Sequence, residues 1–585
     1  MEKICGDRAL LTEECIGQLV YKVEMLEAEN LGSMHARESL FLMIAAFNIF
    51  LMQLGFAMLE VGTVQTKNAK SVLFKNIIDC SIGILIWWLW GYGISNGDYR
   101  DLWRAGYGNT GIDGTASFFH SFTFSTTCAT ILSGGVVERM NFTAYLSISA
   151  LMIGLIYPVV VSWVWTGEGW LYKLGYTDFA GTFVVHGLGG ASTLAACYLL
   201  GPRIGRFRYD EEEQKWQSKE FIAHSPIFAN LGIFILMFGW LSFNGSSVLG
   251  ATEADFRIAM RSVINTFISG ASSCMVGSLF FRYHAGVHNL EKMHNSLLVG
   301  LVSITGCCAY VDYYYAPVVG LVAVAFYHVS SKAMVYCRLD DPLDAVAIHG
   351  GGGIWGNIAT GLFVNPCFTQ GQVHGVLYGG WRLILVQLLG SVVILAWGSS
   401  LTAAMLLLFK RLALRYRKFP SIRAVKDAEI LGLDFAYYDG FLFPQLDKSA
   451  IIAHHEHAAA KKRAMQRQKN LSNMMRIAKH RQSGSIHKTS IRLSNSPIPT
   501  PPNTYRSPTV HQLDTSATYR SPTMHQLDTS AYGAGNASSK ISDHATSPAC
   551  SSDRNSETFH NSESFTFPEE ASPQKKACHS GGDLC

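Results

Sequence analysis

Asp178–Ala191 reads DFAGTFVVHGLGGA. His186 stands eight positions after Asp178, in a run otherwise built of Phe, Val, Leu, Ala, Thr and Gly. Asp344–Gly353, DAVAIHGGGG, repeats the theme: an Asp, an apolar step, then His349 and a glycine run. Both stretches therefore contain His-Gly-x-Gly-Gly. One such histidine in a soluble core is most often just a satisfied core residue. Inside a bilayer an ionisable side chain is costly, and glycines thin a helix for close approach. Two in matching contexts call for a functional explanation.

The rest of the chain puts these stretches in a membrane. Of 585 residues, 49% are hydrophobic and only 15% charged, and the mean hydropathy is positive despite a polar C-terminal tail. Eleven runs of 18 or more residues lack Asp, Glu, Lys and Arg: 39–59, 80–97, 114–137, 140–167, 179–202, 221–252, 262–281, 293–311, 313–331, 345–381 and 383–409. Runs of this length are enough to cross a bilayer, and 345–381 is long enough to include a loop. The sequence thus predicts an all-α polytopic membrane protein with eleven transmembrane helices in residues 39–412. The expected flanks are a segment 1–38, a C-terminal region 413–445 and a disordered tail 446–585.

Basic residues set the orientation. Alternate loops divide them thirteen to five: the richer set includes Lys67, Lys70, Arg203, Arg206 and Lys292, the poorer set Arg100, Arg104, Lys173, Arg257 and Arg261. The richer side should be cytoplasmic, so an odd number of spans leaves the N-terminus outside and the C-terminus inside. Residues 1–38 agree, with eight acidic and four basic residues and no apolar core long enough for a cleaved signal peptide.

Five spans form a unit of odd number, so spans one to five and six to ten would have opposite topology, with the eleventh appended. The His-Gly-x-Gly-Gly echo falls in the last span of each unit, as an inverted repeat with a midplane site requires. The cysteines form no zinc pattern: no CxxC pair or His/Cys cluster is present. Most fall within spans, and only Cys5, Cys15 and Cys367 fall on the predicted outer side, which leaves a Cys5–Cys15 bridge open. Glu138–Arg139 reads as an interfacial charge pair closing the third span. Trp163, Trp165 and Trp170, on position alone, read as belt aromatics.

Five ordered motifs carry a resemblance: GGVVERM, DFAGTFVVHGLGG, GPRIGRF, GWLSFNGSS and DDPLDAVAIHGGGGIWG. Together, over about 39–440, they resemble the ammonium transporter family, close to its plant-type and invertebrate members. The resemblance implies a homotrimer in which each eleven-helix protomer has its own narrow pore. It implies that His186 and His349 are twin pore histidines and that Asp178 is the family's essential acidic residue. By the same resemblance Phe124, Trp165 and Ser247 form an outer recruitment site, and Phe124 and Phe243 a paired phenyl gate. No cofactor, no metal and no nucleic-acid partner is implied, and the chain is not expected to be an enzyme.

Chemistry supports that expectation independently. Ammonium is a small cation with four N–H donors. Trp165 and Phe124 offer cation–π faces worth about 1–2 kcal/mol when partly desolvated, and Ser247 a hydrogen-bond acceptor. An apolar pore penalises the bare charge, deprotonation relieves the penalty, and two contacting imidazoles titrate as a coupled unit. Asp178, at the outer start of its helix, is expected first to cap backbone N–H groups.

The C-terminal region departs from the family pattern, and two other classes of function stay open. Gly432-Leu433-Asp434 is followed by FAYYDG where family members have a His-Gly element that couples subunits. Beyond 445, HHEHAAAKKRAMQRQKN suits anionic lipid or a calmodulin-like partner. The tandem YRSPTVHQLDTSAT, YRSPTMHQLDTSAY carries Ser507 and Ser521 as candidate kinase sites in a disordered setting. The other classes are an ammonium sensor (or ammonia gas channel) on the same bundle, and a membrane enzyme ligating metal through His186 and His349.

Overall fold

The computed structural model describes residues 13–97, 112–416 and 419–438. These belong to one unit, Met1–Ser472, and the second unit, Asn473–Cys585, lies outside them. Among the described residues eleven long helical segments follow one another: α1 (Glu13–Thr63), α2 (Thr66–Ser95), α3 (Ile112–Val136), α4 (Phe142–Val164), α5 (Thr182–Leu200), α6 (Pro226–Val248), α7 (Glu253–Ala285), α8 (Leu290–Ile304), α9 (Ala316–Tyr336), α10 (346–363) and α11 (Trp381–Arg415). Two short helices, α12 (Lys426–Leu431) and α13 (Leu433–Tyr437), close the described chain. The protein is an all-α polytopic membrane protein.

Eight of the segments are long and apolar enough to cross a membrane by composition. The exceptions are α3, α8 and α10. Each faces protein more than lipid. Ser and Thr hydroxyls of α3 are buried and return their protons to their own helix, as Thr123 does to His120 O at 2.6 Å and Thr127 to Thr123 O at 2.8 Å. At 15 residues α8 falls short on length and is buried from His294 onward save for Leu297, and α10 owes its low hydropathy to glycine. A helix surrounded by other helices gains nothing from lipid-facing apolarity, so hydropathy alone underrates it.

Counterparts of the predicted repeat touch. A Cβ at Gly62 of α1 would fall 2.2 Å from Ala229 N of α6, and one at Gly190 of α5 would fall 2.4 Å from Gly350 N of α10. Only glycine permits those backbone approaches. Both histidine segments open as π-helix, Thr182–Gly187 and Val346–Gly351, before continuing as α. Such wide turns are rare and gather at functional sites.

Two differences from the sequence expectations matter. The helix of the first span starts at Glu13 rather than near residue 39, and its stretch 17–37 is exposed. At 51 residues it is about 75 Å long, more than twice a bilayer core. A β-hairpin, Phe207–Asp210 with Lys215–Ser218, is added to the α5–α6 loop. Run 345–381, as expected from its length, resolves into α10 plus a loop, which holds two single turns, Pro366–Phe368 and Val376–Tyr378.

Glu138 and Arg139 do not pair with each other. Glu138, at φ 70°, is buried and ion-pairs with Arg203, which also grips Asp340 through Nε at 2.7 Å. Burial alone would raise the Asp340 carboxyl, but the Arg203 hydrogen bonds and charge override it and hold it at about 2. Arg139 donates to the Asp340 and Gly201 carbonyls at 2.6 and 2.9 Å. The pair is thus a buried tie between the α3–α4, α5–α6 and α9–α10 connections. The N-terminal Cys5, the side chain of Cys15, the basic stretch after 445 and the tandem repeat lie outside the described residues.

Candidate functional site: a pore lined by aromatics and two histidines

His186 and His349 meet. Their Nδ1 atoms are 3.2 Å apart, their rings 5.2 Å apart at 18°, and both side chains are buried. One proton must lie between the two nitrogens, so each ring fixes the other's tautomer. Nε2 of His186 is buried and has no hydrogen-bond partner. An unpartnered buried nitrogen is costly, which marks it as a place for a polar visitor.

Phenylalanines seal one side of this pair. Phe124 of α3 stacks on Phe243 of α6 at 4.0 Å and 25°, and Phe243 lies 5.7 Å from the His186 ring. Trp165, at the end of α4, meets Phe124 edge-on at 6.2 Å and 87°. Trp165 is half-buried, and its Nε1 donates to Asp178 O at 2.7 Å. That bond makes Trp165 more than a belt aromatic. Ser247 is partly exposed and gives its proton to Phe243 O at 2.9 Å, leaving the lone pairs of Oγ as acceptors.

Asp178 is a cap. Its Oδ1 accepts from Gly181 N (2.9 Å) and Thr182 N (2.8 Å), and its Oδ2 from Phe183 N (2.8 Å) and Val184 N (3.0 Å). These are the N–H groups that the start of a helix leaves without partners. The carboxylate is thereby spoken for by the backbone of the helix that carries His186.

The counterpart of Asp178 is Asp341, not the Asp344 of the sequence reading. Asp341 precedes His349 by the same eight positions and accepts from Val346 N at 2.7 Å. Asp344 instead binds Lys292 Nζ at 2.9 Å and Tyr327 Oη at 2.6 Å. Two further groups escaped the sequence reading. Trp240 stacks on His186 at 5.0 Å and 17°, with Nε1 held by Thr305 Oγ1 at 3.0 Å. It lies three residues before Phe243, a spacing that puts both on one helix face. His120 lies one turn before Phe124, with its ring 5.0 Å away. Among the described residues no group of three or more His, Cys, Asp or Glu side chains could hold a metal ion.

Stacked aromatic rings beside two paired, buried imidazoles inside a helical membrane bundle suit transport of a small species rather than an enzyme's chemistry. The chain belongs to the Ammonium Transporter Family, whose model matches residues 40–443. It is 34% identical over 429 residues to "Putative ammonium transporter 1" of Caenorhabditis elegans, covering 69% of this chain and 78% of that one. Identity to "Ammonium transporter 3" of Dictyostelium discoideum is also 34%, over 68% of this chain and 91% of that one. A solved structure titled "Sensor Amt Protein" matches with a TM-score of 0.63 at 28% identity, over 70% of this chain and 99% of that one. Saccharomyces cerevisiae Mep2, at 24% identity and a TM-score of 0.60 over 67% and 88% of the two chains, shares the fold.

Proposed function

We propose that this protein carries ammonium across the plasma membrane by capturing the cation, stripping its proton and passing ammonia through the histidine-lined pore. The observation that carries the reading is the 3.2 Å contact between His186 and His349, sealed behind the stacked Phe124 and Phe243. Trp165, Phe124 and Ser247 recruit ammonium at the outer mouth, and Asp178 supports that mouth by fixing the start of α5. Phe124 and Phe243 exclude the hydrated ion. A bare cation in such a lumen would be heavily penalised, whereas neutral ammonia is not. The coupled imidazoles carry the proton separately, with the unpartnered Nε2 of His186 as the nitrogen of the pair that a passing N–H donor meets.

The N-terminus is extracellular and the C-terminus cytoplasmic, on the thirteen-to-five basic asymmetry. The working assembly is a homotrimer in lipid, each protomer with its own pore. Kinase or calmodulin-like partners act on the tail beyond 445. The relatives of higher identity are named as transporters, which favours transport over a pure sensor despite the likeness to a structure titled as one.

Electrical recording during ammonium pulses, in a host lacking its own ammonium transporters, tests the reading. Wild type should give ammonium-dependent current. His186→Ala and His349→Ala should each abolish it at normal surface abundance, and the double variant should be little worse, because the pair acts as a unit. Wild-type current and pH dependence in both single variants would reduce the histidines to packing.

A further inference from the structure

His120 sits one turn outward of the phenyl stack on α3, and Ser246 three residues beyond Phe243 on α6. Their side chains meet: His120 Nε2 is 2.7 Å from Ser246 Oγ, and both residues are buried. The direction of this bond follows from proton bookkeeping. A serine hydroxyl has one hydrogen. Ser246 gives it to Ser242 O at 2.6 Å. Were it turned to the imidazole instead, two oxygens with no proton between them would face each other at that distance. The 2.7 Å contact is therefore Nε2–H donating to Ser246 Oγ. Nε2 carries the proton, so the Nδ1 of a neutral His120 is an unprotonated acceptor, and among the described residues it has no partner.

We infer that His120 is the nitrogen acceptor of the outer mouth, its Nδ1 receiving one N–H of an ammonium ion held against the faces of Trp165 and Phe124. The inference rests on the transport reading given above and adds to it a residue that gives direction to capture. Aromatic faces attract any small cation through the ring quadrupole. They do not distinguish a cation with N–H donors from a bare alkali ion of similar size. A fixed lone pair does, because a hydrogen bond to a charged donor is strong only in line with it. Ser246 fixes that lone pair by locking the tautomer. Since α3 supplies the imidazole and α6 its anchor, the acceptor sits at the seam where Phe124 and Phe243 also meet, one layer above the gate.

Three replacements separate the acceptor from the ring. His120→Leu removes both, His120→Phe keeps an aromatic face without an acceptor, and His120→Asn places an amide oxygen near Nδ1 without a ring. Each is made in the full-length chain and expressed in the transporter-deficient host, with surface abundance measured alongside half-saturating ammonium concentration and maximal current. Leu and Phe should each raise the half-saturating concentration about tenfold, the order of one hydrogen bond to a charged group, with maximal current little changed. Asn should return it to near wild type. If Leu fails to reach the membrane, Phe decides. Wild-type half-saturation in His120→Phe would overturn the inference, as would loss of maximal current with unaltered half-saturation. Absence of ammonium current in the wild type would instead sink the transport reading itself.

Discussion

Trp165 combines two duties in one side chain: its ring faces Phe124, and its indole N–H holds the Asp178 carbonyl at 2.7 Å. Substitutions should resolve them. Trp165→Leu removes the ring face and the bond, and the half-saturating ammonium concentration should rise roughly tenfold, from about 1–2 kcal/mol of cation–π attraction. Trp165→Phe keeps a weaker face and should fall between. Concentration–response curves for ammonium and methylammonium give the answer, and unchanged capture and selectivity in the Leu variant would leave Trp165 with its structural bond alone. Asp178 behaves differently because its carboxylate is already engaged by four backbone N–H groups. A change there acts through the aim of α5 before it acts on any ligand.

At the scale of elements, α12 and α13 carry the described chain back to the bundle. Asp434 starts α13 and reaches the N-terminal end of α2, accepting from Ser71 N at 2.7 Å and Lys70 N at 2.9 Å. Leu433 N donates to Asn68 Oδ1 at 2.9 Å, and Asn68 in turn donates to Glu138, the partner of Arg203. The short C-terminal helices are thereby joined to the tie beneath α3, although FAYYDG replaces the usual continuation. Tyr438 meets Phe74 edge-on at 5.3 Å. Burial pushes the Asp434 carboxyl up to about 6, against the opposing pull of the Ser71 and Lys70 N–H groups. A carboxyl raised on docking above its free value of 3.8 favours the docked state at low pH and loses that contribution as pH rises through about 6. Hydrogen exchange of 426–438, corrected for intrinsic rate, should therefore be faster at pH 7.5 than at pH 5.5 by more than in Asp434→Asn, which does not titrate. Equal pH dependence in the two proteins would separate docking from this carboxyl.

At the scale of the molecule, topology is the first consequence to check. A tag before Glu2 should be labelled on intact cells and one after Cys585 only after permeabilisation; reversed labelling would put Trp165 on the cytoplasmic side and end the recruitment assignment. The sequence by itself determined the membrane class, the eleven segments and the two histidines. Hydropathy, loop charge and a local motif are properties of neighbours in the chain, and they survive without knowledge of the fold. Phe124, Phe243 and Trp165 were singled out only through the resemblance that the ordered motifs carry. Tertiary structure decided the rest. Asp341 replaced Asp344 as the counterpart of Asp178 because capping depends on which N–H groups a carboxylate can reach, and an apolar-step pattern does not encode that. Trp240 and His120 acquired their places because α6 and α3 each turn one face toward the Phe124–Phe243 stack. Glu138 and Arg139, adjacent in the chain and opposite in charge, found separate partners because α3 ends at Val136 and the chain turns at Glu138 with positive φ, sending the two side chains apart. Local pattern fixes what a residue is and how deep it lies; only the packing of distant helices fixes what it touches.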